Sequence, residues 1–260
     1  MSMIEQELIL THTQDAVLTL TMNRPSRKNA LTLSMYEHLT EALQNAKEDA
    51  KIRAVVLTGA GDAFTAGNDL NDFMQSPPTS TDTPVFHFLK EILEFPKPLI
   101  AAINGAAIGI GTTMLLHCDL VYASENAIFQ LPFIRLGLVP EAGASYLIPR
   151  LVGHRRAAEL LMFGEKFDAK EALNLGLINE EVQHEQVLTR AQERACVLAQ
   201  LPPEAMRQTK QLLRQPTQGL LQEVMLREGE TFMQRLSSPE TAEAIQAFFM
   251  KRPPDFSRFS

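Results

Sequence analysis

Cysteine is nearly absent. The two that occur, Cys118 and Cys196, lack metal-ligand spacing and give no disulfide framework. Cys118 lies in an apolar run and reads as an inert buried thiol. Positive charge is in deficit: 24 Lys and Arg against 31 Asp and Glu leave a net charge of −7, which argues against nucleic acid as a main partner. A phosphorylated ligand stays open, because a few local basic residues suffice to hold one. No signal peptide or Arg-rich transit pattern opens the chain. Its last residues, Arg258-Phe259-Ser260, are not a peroxisomal Ser-Lys-Leu address. The expectation is a cytoplasmic protein. There is no repeat of fixed period and no Gly-x-Ser-x-Gly. The six histidines, at 12, 38, 87, 117, 154 and 184, form no triad or metal pattern. His117, in an apolar segment, reads as a satisfied core or interface histidine rather than a ligand.

Charge is missing altogether from Pro98 to Cys118, and this stretch organises the chain. A membrane span is a poor reading: the length is near the ~18-residue threshold, but much of the run is Ala and Gly, with Asn104, Thr112 and Thr113 inside. A phosphate cradle is also poor, because Gly105, Gly109 and Gly111 fit neither nucleotide motif and no Lys follows. A buried strand, Leu99 to Ile103, a turn at Asn104-Gly105 and a helix from Gly109 to His117 fit best. The glycine-rich start of such a helix leaves N–H groups free that favour developing negative charge.

The 260 residues suggest one large domain, or one with an appendage. Leu8 to Leu10 and Ala16 to Met22 read as a hairpin about Gln14-Asp15. A helix is predicted from Ser34 to about Ala50, with Glu37 completing a capping box. A β-branched strand follows from Ile52 to Thr58, a turn at Gly59 to Asp62, and a short helix ending at Met74. Gln75 to Pro84 reads as a mobile surface loop, and Val85 to Glu94 as a helix. Leu120 to Ala123 and Ala127 to Gln130 are strands. After Gly153 the chain reads as almost all helical: a box of Asp168 and Glu171 opens a helix ending at Gly176. Further helices are expected at His184 to Gln200, Pro203 to Leu213, Leu220 to Leu236 and Ser238 to Met250, the last begun by Ser238-Pro239. Leu221, Met225, Phe232 and Leu236 form an apolar stripe. The alternation implies an α/β core covered on both faces.

Three segments have chemical potential. Ala66-Gly67-Asn68-Asp69-Leu70 follows a strand and opens a helix; it is either an ordinary turn and helix cap or a source of free N–H groups. Gly109-Ile110-Gly111 is a second such source, and two free N–H groups from two segments can form an oxyanion hole. Glu141, in Leu138-Val-Pro-Glu-Ala-Gly143, is either a first-turn carboxylate facing a helix dipole or a partly desolvated general base with its pKa raised toward neutral.

Four motifs in order, Ala63-Phe-Thr-Ala-Gly-Asn-Asp-Leu, Asn104-Gly-Ala-Ala-Ile-Gly-Ile-Gly, Cys118-Asp-Leu-Val-Tyr-Ala-Ser and Leu136-Gly-Leu-Val-Pro-Glu-Ala-Gly, resemble the enoyl-CoA hydratase/isomerase family, the crotonases. The likeness extends through Gly164 to Ile178, Leu201-Pro-Pro and Glu243 to Phe256. It implies a spiral core of β-β-α units over residues 1–200 and a C-terminal helical region over 201–260 that trimerises, with trimers often pairing as hexamers. It implies an acyl-CoA thioester substrate whose carbonyl is held by the Ala66 and Ile110 N–H groups. Ala66, Gly67, Asn68, Asp69 and Leu70 would lie along the acyl-CoA. Arg24, Lys28 and Lys251 are candidates for its phosphates. No metal and no cofactor is implied, coenzyme A being part of the substrate.

The departures from the family pattern separate activities. The two positions that carry Glu in hydratases read Thr113 and Phe133 here; Thr has no ionisable group in range to deprotonate water, and Phe has no proton to exchange. Glu141 matches the acid of peroxisomal-type 3,2-trans-enoyl-CoA isomerases, the branch closest in motifs. The resemblance therefore implies a one-acid isomerase moving a double bond from C3 to C2. An epoxide-ring isomerase of phenylacetyl-CoA type, a hydratase-like enzyme and a non-catalytic acyl-CoA-binding protein are the rival expectations.

Overall fold

The computed structural model describes residues 7–75, 80 and 82–259. Much of the loop expected from Gln75 to Pro84 lies outside the described residues. A hairpin opens the fold: β1 (Ile9–Gln14) and β2 (Val17–Met22) pair antiparallel, Ile9 opposite Met22. Its turn is Asp15-Ala16, with φ of 50° and 63°, the left-handed pair that a two-residue hairpin loop demands. The turn lies one residue beyond the predicted place. α1 (Leu33–Glu48) follows, capped by Thr32, which accepts the Met35 N–H at 3.3 Å. The predicted cap at Ser34 is displaced because Thr32 has the extended backbone a cap requires, and Ser34 already lies in the first turn.

β3 (Ala54–Gly59), β4 (Ala63–Thr65), α2 (Leu70–Gln75), α3 (Pro84–Glu94), β5 (Leu99–Ile103), β6 (Ala106–Ile108), α4 (Ile110–Thr113), β7 (Leu120–Ser124) and β8 (Ile128–Gln130) come next. The predicted Gly109–His117 helix is one α turn continued as a 3₁₀ turn, Met114–His117. α5 (Ala144–Val152), α6 (His154–Phe163), β9 (Lys166–Asp168), α7 (Ala169–Asn174), β10 (Glu180–Val182), α8 (Val187–Gln200), α9 (Pro203–Leu236) and α10 (Pro239–Phe249) complete it. The caps read at Asp168 and Ser238 form, accepting from the Glu171 and Thr241 N–H groups at 2.8 and 3.2 Å. Two strands interrupt the region read as helical.

α9 replaces two predicted helices and runs through Pro216. Proline in a helix interior costs ~3 kcal/mol, and docking on both sides of it offsets that. Lys210 and Arg214 donate to the Asp119 carboxylate at 2.6 and 3.1 Å. Leu221 and Phe232 are buried, and Met225 and Leu236 pack beside them.

The strands form two sheets, ordered β1-β2-β3-β5-β7-β10 and β4-β6-β8-β9. From β3 to β8 the chain gives one strand to the larger sheet and the next to the smaller: β3 then β4, β5 then β6, β7 then β8. Pairing along these series is parallel. This is the expected α/β spiral of β-β-α turns, followed by C-terminal helices. The main core lies between the sheets and under α1 and α3. The outer face of the larger sheet is covered by α8, whose Val187, Ala191, Ala195 and Ala199 recur every four residues and are buried; alanine allows close approach of helix to sheet. Among the described residues no helix is long and apolar enough to cross a membrane.

Candidate active site

β4 and β6 lie side by side, Ala63 opposite Ala106 and Thr65 opposite Ala107. Past their carboxyl ends the chain turns sharply in both. At the end of β4 the Ala66 N–H donates to the Lys28 carbonyl oxygen at 2.8 Å. The predicted donor is therefore spent on the fold. The Gly67 N–H goes to Thr65 Oγ1 at 3.1 Å, and the Asp69 N–H to the Leu31 oxygen at 2.9 Å. The Asn68 N–H has no acceptor among the described residues. The correction is a shift of two residues, caused by the bridge of this segment to Leu31, whose partner atoms no motif reveals. Gly67 makes the turn possible. Its φ is +90°, and a Cβ there would lie 2.8 Å from the Ile108 oxygen. At the end of β6, Gly109 donates its N–H to Gln130 O at 2.9 Å. Ile110, the first residue of α4, has no acceptor for its own N–H among the described residues. Two open amides thus stand at the ends of neighbouring strands.

Glu141 is 8% exposed. The Thr113 hydroxyl, from α4, donates to its Oε1. Burial pushes the Glu141 carboxyl up to about 8, the Thr113 bond opposes this, and the charge of Glu228 adds to it. A cavity of about 30 Å³ adjoins, walled by Asn68, Val85, Phe86, Leu89, Glu141 and Phe232 among others, with Glu141 the one titratable side chain among the described residues of its wall. The Tyr36 hydroxyl donates to Asn68 Oδ1. Burial, with a contribution from Glu141, holds the Tyr36 phenol well above its ordinary range. The first-turn seat of α5 does not belong to Glu141: Glu228, from α9, accepts the Gly143 and Ser145 N–H groups at 2.6 and 2.8 Å.

The other predicted residues divide. Gly67 and Asn68 are at the site. Asp69 is buried and pairs with Arg24 at 2.6 Å; its Oδ1 also accepts the Asn71 N–H at 3.0 Å, capping α2, which begins at Leu70. Burial raises the Asp69 carboxyl, but Arg24 and two backbone N–H groups prevail, so its pKa is lowered. Arg24 is accordingly committed to Asp69 and to Ala30 O at 3.1 Å. Lys28 is exposed beside it. Lys251 follows α10, whose first turn packs on Gly137, and no described contact joins it to the others. His117 is the satisfied core histidine expected: Nε2 bonds to Ala142 O at 2.7 Å, and burial brings its pKa down to about 4. Sequence reading missed Tyr36 and Glu228, and took Thr113 only as an absent acid. A helical count from Ile110 puts Thr113 one turn on; Glu228, on a helix more than 80 residues from Glu141, left no local signal.

A family model for enoyl-CoA hydratase/isomerase matches residues 12–258. Enoyl-CoA delta isomerase 2 of Rattus norvegicus is 38% identical over 255 residues, which are 96% of this chain and 65% of the rat protein. The chain thus spans just under two thirds of that relative. The 2,3-dehydroadipyl-CoA hydratase of Escherichia coli (strain K12) is 38% identical over 251 residues, 96% of this chain and 98% of its own. A crystal structure of an enoyl-CoA hydratase/isomerase from Pseudoalteromonas atlantica T6c superimposes with a TM-score of 0.92 at 43% identity, covering 96% of this chain and 100% of that one. With open amides at two strand ends, a buried carboxyl beside them and a match over nearly its full length, this chain belongs to the enoyl-CoA hydratase/isomerase family.

Proposed function

We propose that the protein is a 3,2-enoyl-CoA isomerase. The observation that carries this reading is Glu141, the one titratable side chain among the described residues of the cavity wall, beside an Asn68 whose N–H has no acceptor among the described residues. The thioester oxygen of a 3-enoyl-CoA accepts the Asn68 and Ile110 N–H groups. Glu141 takes a proton from C2, and the C–H electrons pass into a dienolate whose negative oxygen the two donors stabilise. The carboxylic acid so formed returns the proton at C4. The double bond then lies between C2 and C3, and the carbonyl is restored. One acid–base group serves both steps, so Thr113 and Phe133 in place of two further acids do not impede it. Hydration would need water activated from those positions. Glu141 faces the cavity rather than solvent, which supports catalysis over mere acyl-CoA binding. Coenzyme A enters as part of the substrate, its remote contacts positioning the acyl chain.

The test is purified protein with 3-hexenoyl-CoA and with crotonyl-CoA, beside Glu141→Gln. The wild type should convert the first and leave the second unhydrated. The variant should lose ~10²–10⁴-fold in kcat. Equal conversion by wild type and variant would sink the assignment, as would robust hydration of crotonyl-CoA. The helical region 201–260 is read as a trimerisation surface, and light scattering at the mass of three or six chains checks that.

A further inference from the structure

The turn that carries Glu141 is held from three other parts of the molecule. Thr113 donates to the Glu141 carboxyl, His117 Nε2 donates to the Ala142 oxygen at 2.7 Å, and Glu228 accepts the Gly143 N–H at 2.6 Å. The turn needs such tethers. Ala142 sits at φ 58°, a left-handed conformation that costs an L-residue roughly 1–2 kcal/mol.

Glu228 is the member that the proposed reaction leaves unused. It is 8% exposed. One oxygen takes the Gly143 N–H; the other takes the Ser145 N–H at 2.8 Å and the Ser145 hydroxyl. Both oxygens accept, which favours the ionised form, while burial works against it and raises the Glu228 pKa. The Gly143 and Ser145 amides belong to the start of α5, where a helix favours negative charge. Glu141, just ahead of that turn, would be the nearest occupant. With Glu228 seated there, Glu141 keeps the Thr113 hydroxyl as its hydrogen-bond donor and gains no backbone donor. A buried carboxylate without backbone donors, facing a second carboxylate, is a stronger base than one seated on a helix start.

We propose that Glu228 is a positioning residue of this site: reaching in from α9, it occupies the first amides of α5, fixes the Glu141 turn, and withholds from Glu141 the donors that would make it a poor base. This rests on Glu141 being the base of the proposed reaction. The other titratable groups facing Glu141 are Tyr36 from α1 and His117 behind the turn. Burial holds the phenol above its usual range and the imidazole at about 4, so both are uncharged near neutral pH. Among the described residues no Lys or Arg pairs with Glu141 or Glu228.

Glu228→Gln keeps the shape and removes the charge. The Glu141 carboxyl is titrated by carbon-13 NMR in wild type and variant, its signal assigned by its loss in Glu141→Gln. In parallel, kcat and KM for 3-hexenoyl-CoA are measured against pH. The Glu141 midpoint should fall by about half a unit to one unit. At high pH kcat should drop about tenfold through looser geometry, with KM within about twofold. A midpoint equal to that of the wild type overturns the proposal. If Glu228→Gln does not fold, Ser145→Ala decides, since it removes one of the three donors holding Glu228: a smaller fall supports the proposal and no fall overturns it. Absence of turnover in the wild type overturns the isomerase reading alone, because the NMR midpoint still decides what Glu228 does to Glu141.

Discussion

A carboxylate that takes a proton from carbon near neutral pH must be reluctant to ionise in water and still be held in one place. At Glu141 these demands fall on different neighbours: burial supplies the basicity, and the Thr113 hydroxyl supplies a fixed bond to the charged form. Thr113→Val keeps the volume and removes the bond, so the charged form loses support and the pKa rises further. The acid limb of kcat/KM should move up by about one to two units, since a hydrogen bond to a charged group is worth ~1.5–3 kcal/mol. Activity should fall at neutral pH and recover in alkali; a limb that stays put refutes the assignment. Thr113 was legible in the sequence as a missing acid but not as a support for another acid, because its partner lies 28 residues away. Ala66 and Asn68 teach the same lesson. The motif located the segment, but the open N–H depends on which atoms the Lys28 and Leu31 backbone already engage.

At the scale of elements, legibility followed length and punctuation. β5 was found at its observed bounds because five apolar residues stand between Pro98 and Asn104-Gly105. β6, β9 and β10 are three residues each, too short for an alternating pattern. They exist because a parallel or antiparallel neighbour supplies their hydrogen bonds. α9 escaped for the opposite reason: Pro216 is a local stop signal that tertiary docking overrides. Gly67 joins β4 to the site, and it tests that junction. Gly67→Ala puts a Cβ 2.8 Å from the Ile108 oxygen at a φ of +90°. Destabilisation of about 1–3 kcal/mol is expected, with a larger loss of kcat than of substrate binding as the Asn68 amide is displaced. Denaturant melts and steady-state kinetics check both; an unchanged kcat would show that the Asn68 N–H is not used.

For the whole molecule, the buried Glu141 carboxyl is a stability cost with a definite sign. The folded state holds the Glu141 proton until about pH 8, whereas the unfolded chain releases it near the ordinary carboxylate value of 4.5. Between those values the unfolded state binds fewer protons, so stability falls as pH rises through the window. Glu141→Gln should flatten that slope and raise the melting temperature at alkaline pH, with a gain on the order of a few kcal/mol; a wild-type slope retained in the variant would contradict it. The spiral topology was legible from the family motifs, and its strand order from the structure alone.

That topology has a metrical consequence. β4 and β6 are adjacent strands of one sheet, and the Asn68 and Ile110 amides sit just past their ends. Neighbouring strands stand ~4.8 Å apart. An oxygen equidistant from two donors at that separation, set ~1.6 Å off the line between them, lies ~2.9 Å from each, within the donor distance an oxyanion requires. On the proposed reading, the spacing of these two strands sets the scale of the hole. Both proposed donors are backbone groups, so side-chain substitutions at Asn68 and Ile110 are expected to alter the acyl pocket more than the proposed grip on the carbonyl.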